Sequence, residues 1–131
     1  MKKLMKLMLA MIAAMMLLAG CGSTTETDGP APANKLEEIL AKGTLVLATS
    51  PDYAPMEFID LNKTGQDQYV GSDIELAKYI AEQLGVKLEI KAMDFSTVLA
   101  AVDLGQADIA ISGFGWKEDR DQSFELSIGF N

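Results

Sequence analysis

Residues 44–49, Thr-Leu-Val-Leu-Ala-Thr, form an unbroken β-prone run with no polar alternation. A strand of this pattern is covered on both faces, as in a parallel sheet flanked by helices. Its surroundings suit that environment. Asn34 caps a preceding helix, with Glu37 as the reciprocal partner, an apolar face of Leu36, Ile39 and Leu40, and a stop at Gly43. Ser72 and Glu75 predict a second capping box. The helix it opens carries Ile74, Leu76, Ala77, Tyr79, Ile80, Ala81 and Leu84 on one face and stops at Gly85. Val86, Leu88, Ile90 and Ala92 then alternate with Lys87, Glu89 and Lys91, the pattern of a half-covered strand near a sheet edge. A helix over residues 97–104 and a strand over 108–112 follow. Two short strands, 56–59 and 68–70, flank a polar turn at 62–65, and residues 124–127 predict a last strand. Strands alternating with capped helices define an α/β domain with a parallel sheet and right-handed crossovers.

In such sheets ligands sit beyond the carboxyl ends of the strands. Three loops leave those ends: residues 50–55, 94–96 and 113–120. The last follows the apolar run Ile109-Ala110-Ile111 and reads Gly-Phe-Gly-Trp-Lys-Glu-Asp-Arg. Gly113 and Gly115 let backbone approach a ligand, and strand-end N–H groups can face an anion. Arg120 is the only arginine, and its planar fork grips a carboxylate bidentately. The opposing reading of Arg120 is a solvated side chain among Lys117, Glu118, Asp119 and Asp121. Phe114 and Trp116 are pocket walls or edge packing. Tyr53 and Phe95 are aromatic lids from the other two loops. Ser50 and Ser112 are polar contacts at two strand ends. Asp52, Glu57 and Asp94 are the carboxylates available to the crevice, with no paired arrangement among them.

The amino terminus has a different character. Lys2, Lys3 and Lys6 precede an apolar run at 7–18 that is too short to cross a bilayer, which is signal-peptide architecture. Leu18-Ala19-Gly20-Cys21 resembles the lipobox of bacterial lipoproteins, which implies cleavage before Cys21 and lipid on its sulfur and amino group. Two or more acyl chains anchor stably where one is marginal. The expected organisation is therefore a signal peptide at 1–20, a lipid-anchored flexible linker at 21–33, and a folded part at 34–131. A tether of that composition spans roughly 20 Å root-mean-square. Cys21 is the sole cysteine and histidine is absent. These facts exclude disulfides, thiolate or imidazole metal sites and Ser-His-Asp catalysis. Three of the 11 basic residues leave with the signal and none of the 19 acidic ones, giving a net charge of −11. That balance argues against nucleic acid as a partner. No P-loop is present, and Gly113-Phe114-Gly115 lacks the third glycine of a dinucleotide fingerprint, so no cofactor is expected.

Four segments in order carry a family resemblance: 49–58 (Thr-Ser-Pro-Asp-Tyr-Ala-Pro-Met-Glu-Phe), 70–77 (Val-Gly-Ser-Asp-Ile-Glu-Leu-Ala), 93–95 (Met-Asp-Phe) and 107–113 (Ala-Asp-Ile-Ala-Ile-Ser-Gly). Together they resemble the polar amino-acid-binding lipoproteins of bacterial ABC importers, over about residues 36–130. The resemblance implies a periplasmic-binding-protein type II lobe, half of a two-lobed clamshell that closes on one amino acid. It implies that Tyr53 and Phe95 pack over the ligand and that Gly113 offers its carbonyl to the ammonium. Gly115 and Arg120 bind the α-carboxylate, and Ser50 contacts the amine or side chain. Relatives carry Ser or Thr where this chain has Gly115 and Lys117, so a hydroxyl and a helix cap are lost. They also continue into a second lobe, so this sequence reads as a partial first lobe, expected to bind weakly or not at all alone.

The function implied is an extracytoplasmic, membrane-anchored solute-binding component that hands an amino acid to an ABC permease, and not an enzyme. The same clamshell also serves dehydratase-like enzymes, a lytic transglycosylase and ligand-sensing domains. A sensor needs a transmembrane segment, which the lipobox replaces.

Overall fold

The computed structural model describes residues 32–129. The expected signal peptide, Cys21 and most of the linker lie outside the described residues. The first helix, α1 (Lys35–Lys42), opens as expected: Glu37 N–H donates to Asn34 Oδ1 at 3.0 Å, and Gly43 closes it at φ 70°. Only Ile39 of its apolar face is buried; Leu36 and Leu40 are about half exposed. Helix α1 touches the domain along one line, so the 3.6-residue pattern overstated its covered face.

Strand β1 (Thr44–Thr49) is buried from Leu45 onward. It runs parallel to β5 (Lys87–Ala92) on one side and β6 (Ile109–Ala110) on the other, in the order β5-β1-β6. The residues of β1 alternate between two cores, because successive side chains point to opposite faces. Val46 and Ala48 meet Val98, Ala101 and Ala107 under α3 (Phe95–Asp103). Leu47 meets Ile74, Ala77, Ile90 and Ile111 under α2 (Ser72–Leu84). Leu45 joins Ile39 and Ala81. Fully burying side chains such as Leu47, Ile74 and Val98 contributes about 1.5–3 kcal/mol each.

A second sheet carries the chain from β1 to α2. It is antiparallel, with β3 (Glu57–Ile59) between β2 (Asp52–Tyr53) and β4 (Tyr69–Val70). A 3₁₀ turn at Gly65–Gln68 precedes β4. From it the Gln66 amide reaches the outer edge of β5. Its Oε1 accepts from Ile90 N–H at 2.6 Å, and its Nε2 donates to the Ile90 carbonyl at 3.2 Å.

Four expectations are corrected. Ser72 does not cap α2: the N-cap is Gly71, and the Ser72 hydroxyl points to Met56 Sδ at 3.4 Å. The first N–H groups of α2 are met by backbone instead, Ser72 to the Pro55 carbonyl and Asp73 to the Met56 carbonyl. Helix α3 starts at Phe95, two residues earlier than expected, because Asp94 turns directly into it. Strand β6 is limited to Ile109–Ala110, although Asp108 N–H and Ile111 N–H continue the bonds to β1 on either side. Residues 124–127 form no strand, having no neighbour to pair with among the described residues.

Asp108 ties α1 to the sheet. Its side chain is 2 % exposed and accepts from Lys42 at 2.7 Å, Lys35 at 3.2 Å and Val46 N–H at 2.8 Å. Burial pushes this carboxyl up, but those three donors outweigh burial and hold it below the usual carboxylate range. A depressed folded pKa contributes stability that is present above the unfolded value and lost as pH falls through the folded one. Asp108→Asn is therefore expected to lower stability at neutral pH by about 1–3 kcal/mol. The deficit should shrink in acid, below the ordinary carboxylate range, as chemical denaturation at both pH values would show.

Candidate functional site

Because β1, β5 and β6 are parallel, the loops that follow Thr49, Ala92 and Ala110 leave one edge of the sheet. Met93 N–H still donates to the Thr49 carbonyl at 3.0 Å, so the first two loops separate only beyond it. Two aromatic contacts then bring the three loops together. The Tyr53 ring lies over Gly113, where an added Cβ would stand 3.2 Å from Tyr53 Cδ1. Phe95 stacks on Phe114 with ring centroids 4.8 Å apart and planes inclined at 27°.

Arg120 sits in a short helix, α4 (Glu118–Asp121), whose N-cap Lys117 supplies no side-chain bond. The chain folds back so that the guanidinium carbon is 5.1 Å from the centre of the Phe114 ring. Nη1 donates to the Gly115 carbonyl at 2.7 Å. No carboxylate is ion-paired with Arg120 among the described residues. A guanidinium held over an aromatic face, with donors left over, is pre-organised for a planar anion. Tyr53 and Phe95 are 60 % and 46 % exposed, so the aromatic surface faces outward and can be covered by a ligand. Trp116, 70 % exposed, stands apart from the stacked pair.

Beneath this surface lies a polar layer. Ser50 and Ser112 are buried at the ends of β1 and β6. Ser50 N–H donates to Ser112 Oγ at 2.9 Å, and Ser112 Oγ donates to Glu57 Oε1 at 3.0 Å. The Ser50 hydroxyl donates to Asp52 at 3.1 Å. Gly113, at φ 58°, donates its N–H to Asp73 Oδ2 at 3.3 Å. The strand-end N–H groups are thus engaged by the protein, and the free-amide cradle expected from the sequence is not present at Ser50 or Gly113.

Glu57 is 1 % exposed, and its Oε2 has no partner among the described residues. Burial pushes its carboxyl up, the Ser112 bond pulls it down, and neighbouring Asp73 and Asp52 raise it again, to about 7. Glu57 is therefore not available to the crevice as Asp52 and Asp94 are, and Asp73 joins it beneath the surface. A signal for Asp73 was available: it shares a four-residue spacing with Ala77 and Ala81, both buried, and a carboxylate on a core stripe requires a partner.

This geometry can be set beside known proteins. The model of the bacterial extracellular solute-binding proteins, family 3, matches residues 45–130, and the chain belongs to that family. The probable ABC transporter extracellular-binding protein YckB of Bacillus subtilis is 33 % identical over 91 % of this chain, but the match is only 40 % of its own length. Cyclohexadienyl dehydratase of Pseudomonas aeruginosa is 30 % identical over 74 % of this chain and 35 % of itself. An amino acid ABC transporter substrate-binding protein of Streptococcus pneumoniae, solved with L-arginine, is 47 % identical with a TM-score of 0.68, covering 72 % of this chain and 39 % of that one. The arginine-bound form of domain 1 from TmArgBP is 38 % identical with a TM-score of 0.60, covering 65 % and 64 %. The fold is that of one type II periplasmic-binding-protein lobe. The chain spans between about a quarter and two fifths of the length of the curated relatives it matches.

Proposed function

We propose that this chain is part of the first lobe of an extracytoplasmic amino-acid-binding component of an ABC importer, and that it captures a cationic amino acid such as L-arginine. The observation that carries this reading is the Phe95–Phe114 stack with Arg120 laid on it, facing outward at the carboxyl ends of a parallel sheet. In this reading Arg120 and Gly115 take the α-carboxylate. Tyr53 and Phe95 cover the aliphatic and guanidinium portions, and Gly113 meets the ammonium with its carbonyl. Ser50 and Ser112 shape the floor from below. Arginine is favoured because relatives solved with it share 38–47 % of their residues with this chain. A guanidinium stacking on aromatic faces is also a favourable cation–π arrangement. Anchoring through Cys21, release to permease subunits and placement on the outer face of the membrane complete the proposal.

Binding without turnover is preferred because the similar structures solved with arginine are binding proteins, and of the three crevice carboxylates Glu57 is buried under Ser112 and Asp52 is engaged by the Ser50 hydroxyl. A general acid must come within hydrogen-bond reach of the group it protonates. Calorimetry on the purified chain with each common amino acid tests the proposal. Saturable binding of L-arginine, at roughly millimolar Kd or tighter, is expected. An isolated first domain carrying arginine has a precedent in the TmArgBP structure. Absence of heat with every amino acid would overturn the reading.

A further inference from the structure

We propose that Glu57 and Asp73 act as a positioning pair for the ligand cleft, setting Ser112 and Gly113, so that gain or loss of a proton by Glu57 changes ligand affinity. The inference rests on the function proposed above. Its basis is that two buried carboxylates from different elements hold two consecutive residues of the third loop. Glu57 comes from β3 and accepts from Ser112 Oγ; Asp73 comes from α2 and accepts from Gly113 N–H. Ser112 in turn accepts from Ser50 N–H, so the same pair fixes the first loop. Gly113 is wedged between them and the aromatic surface: an added Cβ would lie 3.2 Å from the Tyr53 ring and 3.8 Å from Glu57 Oε1.

The charged groups facing Glu57 are Asp73 from α2 and Asp52 from β2, both acidic. No lysine or arginine pairs with it among the described residues. Protonated, Glu57 accepts from Ser112 with one oxygen and carries no charge beside Asp73. Ionised, it puts a second negative charge into a dry space beside Asp73. Like charges there repel strongly because little water screens them. The Ser112 bond favours the ionised form and keeps Ser112 on Glu57, so the repulsion falls on Asp73 and on the Gly113 N–H that Asp73 holds. The carboxyl titrates at about 7, so the change falls in the physiological range. Gly113 is therefore held most firmly below about pH 7 and less firmly above it.

The test uses the full chain and L-arginine as probe. Wild-type affinity is measured by calorimetry at about pH 6 and about pH 8, and amide spectra of the ligand-free protein are recorded across the same range. A loss of affinity on the order of tenfold is expected at the higher pH. The Gly113 and Ser50 amide signals should move with a midpoint near 7. Glu57→Gln, which mimics the protonated acid, should flatten both profiles at their low-pH values. Glu57→Ala should weaken binding at both pH values. An unchanged pH profile in Glu57→Gln, or static Gly113 and Ser50 amides in the wild type, would overturn the proposal. If the wild type binds no arginine at either pH, the proposed ligand fails, and the amide titration alone decides the positioning pair.

Discussion

Arg120→Ala is expected to reduce affinity for L-arginine by about 2–5 kcal/mol, roughly 30-fold to several thousandfold. The lower part of that range is expected for a lobe that leaves the ligand partly in water, since solvent weakens the charge pair. The loss should be specific to binding. Arg120 lies in a four-residue helix, and its one side-chain hydrogen bond is to the Gly115 carbonyl in the same loop. Thermal stability should therefore change little. Arg120→Lys discriminates between charge and shape. Lysine restores the charge but not the planar fork that Arg120 holds over Phe114. It is expected to recover only part of the loss. Calorimetry on the two variants beside the wild type measures this, and unchanged affinity in Arg120→Ala would remove Arg120 from the site.

The largest expected effect on stability is at Gly71, the N-cap of α2, with φ 122° and ψ 170°. That region of backbone space is nearly confined to glycine and costs another residue about 1–3 kcal/mol. Space is the second obstacle. A Cβ at Gly71 would overlap the Met56 carbonyl group and come 2.8 Å from the Pro55 oxygen. These are the two carbonyls that satisfy the first N–H groups of α2. Their displacement would uncap the helix and move Asp73, the residue that holds Gly113. Gly71→Ala is expected to cost about 3 kcal/mol or more, a fall in Tm on the order of 15 °C. Gly85→Ala is the comparison: φ is 68° there but nothing lies within 4 Å, so about 1 kcal/mol is expected. Equal losses in the two variants would show that the close approach at Gly71 is without consequence.

The legibility of the fold followed burial. Residues 44–49 could be placed to the residue because a run covered on both faces leaves no alternative phase. In α1 periodicity marks the side that turns inward, not how much of it is covered; Ile39 is buried and Leu36 is not. At Ser72 two mechanisms competed for the same N–H groups. The backbone carbonyls of a neighbouring strand won, an outcome that local sequence does not encode. At Asp94-Phe95-Ser96 the residues favour a turn. That turn is the first turn of α3, closed by Thr97 Oγ1 on the Asp94 carbonyl.

The site was legible in part. Phe95, Phe114, Gly115 and Arg120 are linked by contact, and Tyr53 lies over neighbouring Gly113. The layer under them was hidden. Strand β3 has three residues, too few to show which face Glu57 takes, and Asp73 reads as an ordinary first-turn acid. Only the meeting of β3, α2 and the end of β6 reveals that both carboxylates point inward.

The Gln66 amide on Ile90 has a consequence for the lobe in solution. A bare outermost strand offers its alternate N–H and C=O groups to any passing chain, and stacking of identical molecules starts there. Here one primary amide occupies a donor and an acceptor of the same residue, imitating a paired strand at the middle of β5. Beside it, Lys87, Glu89 and Lys91 put alternating charge along the rim. A polypeptide docking on β5 would have to evict the amide and bring its own backbone past those charges. The border of the sheet is thus closed by a side chain rather than by another strand, which favours the dispersed state over fibrous self-association.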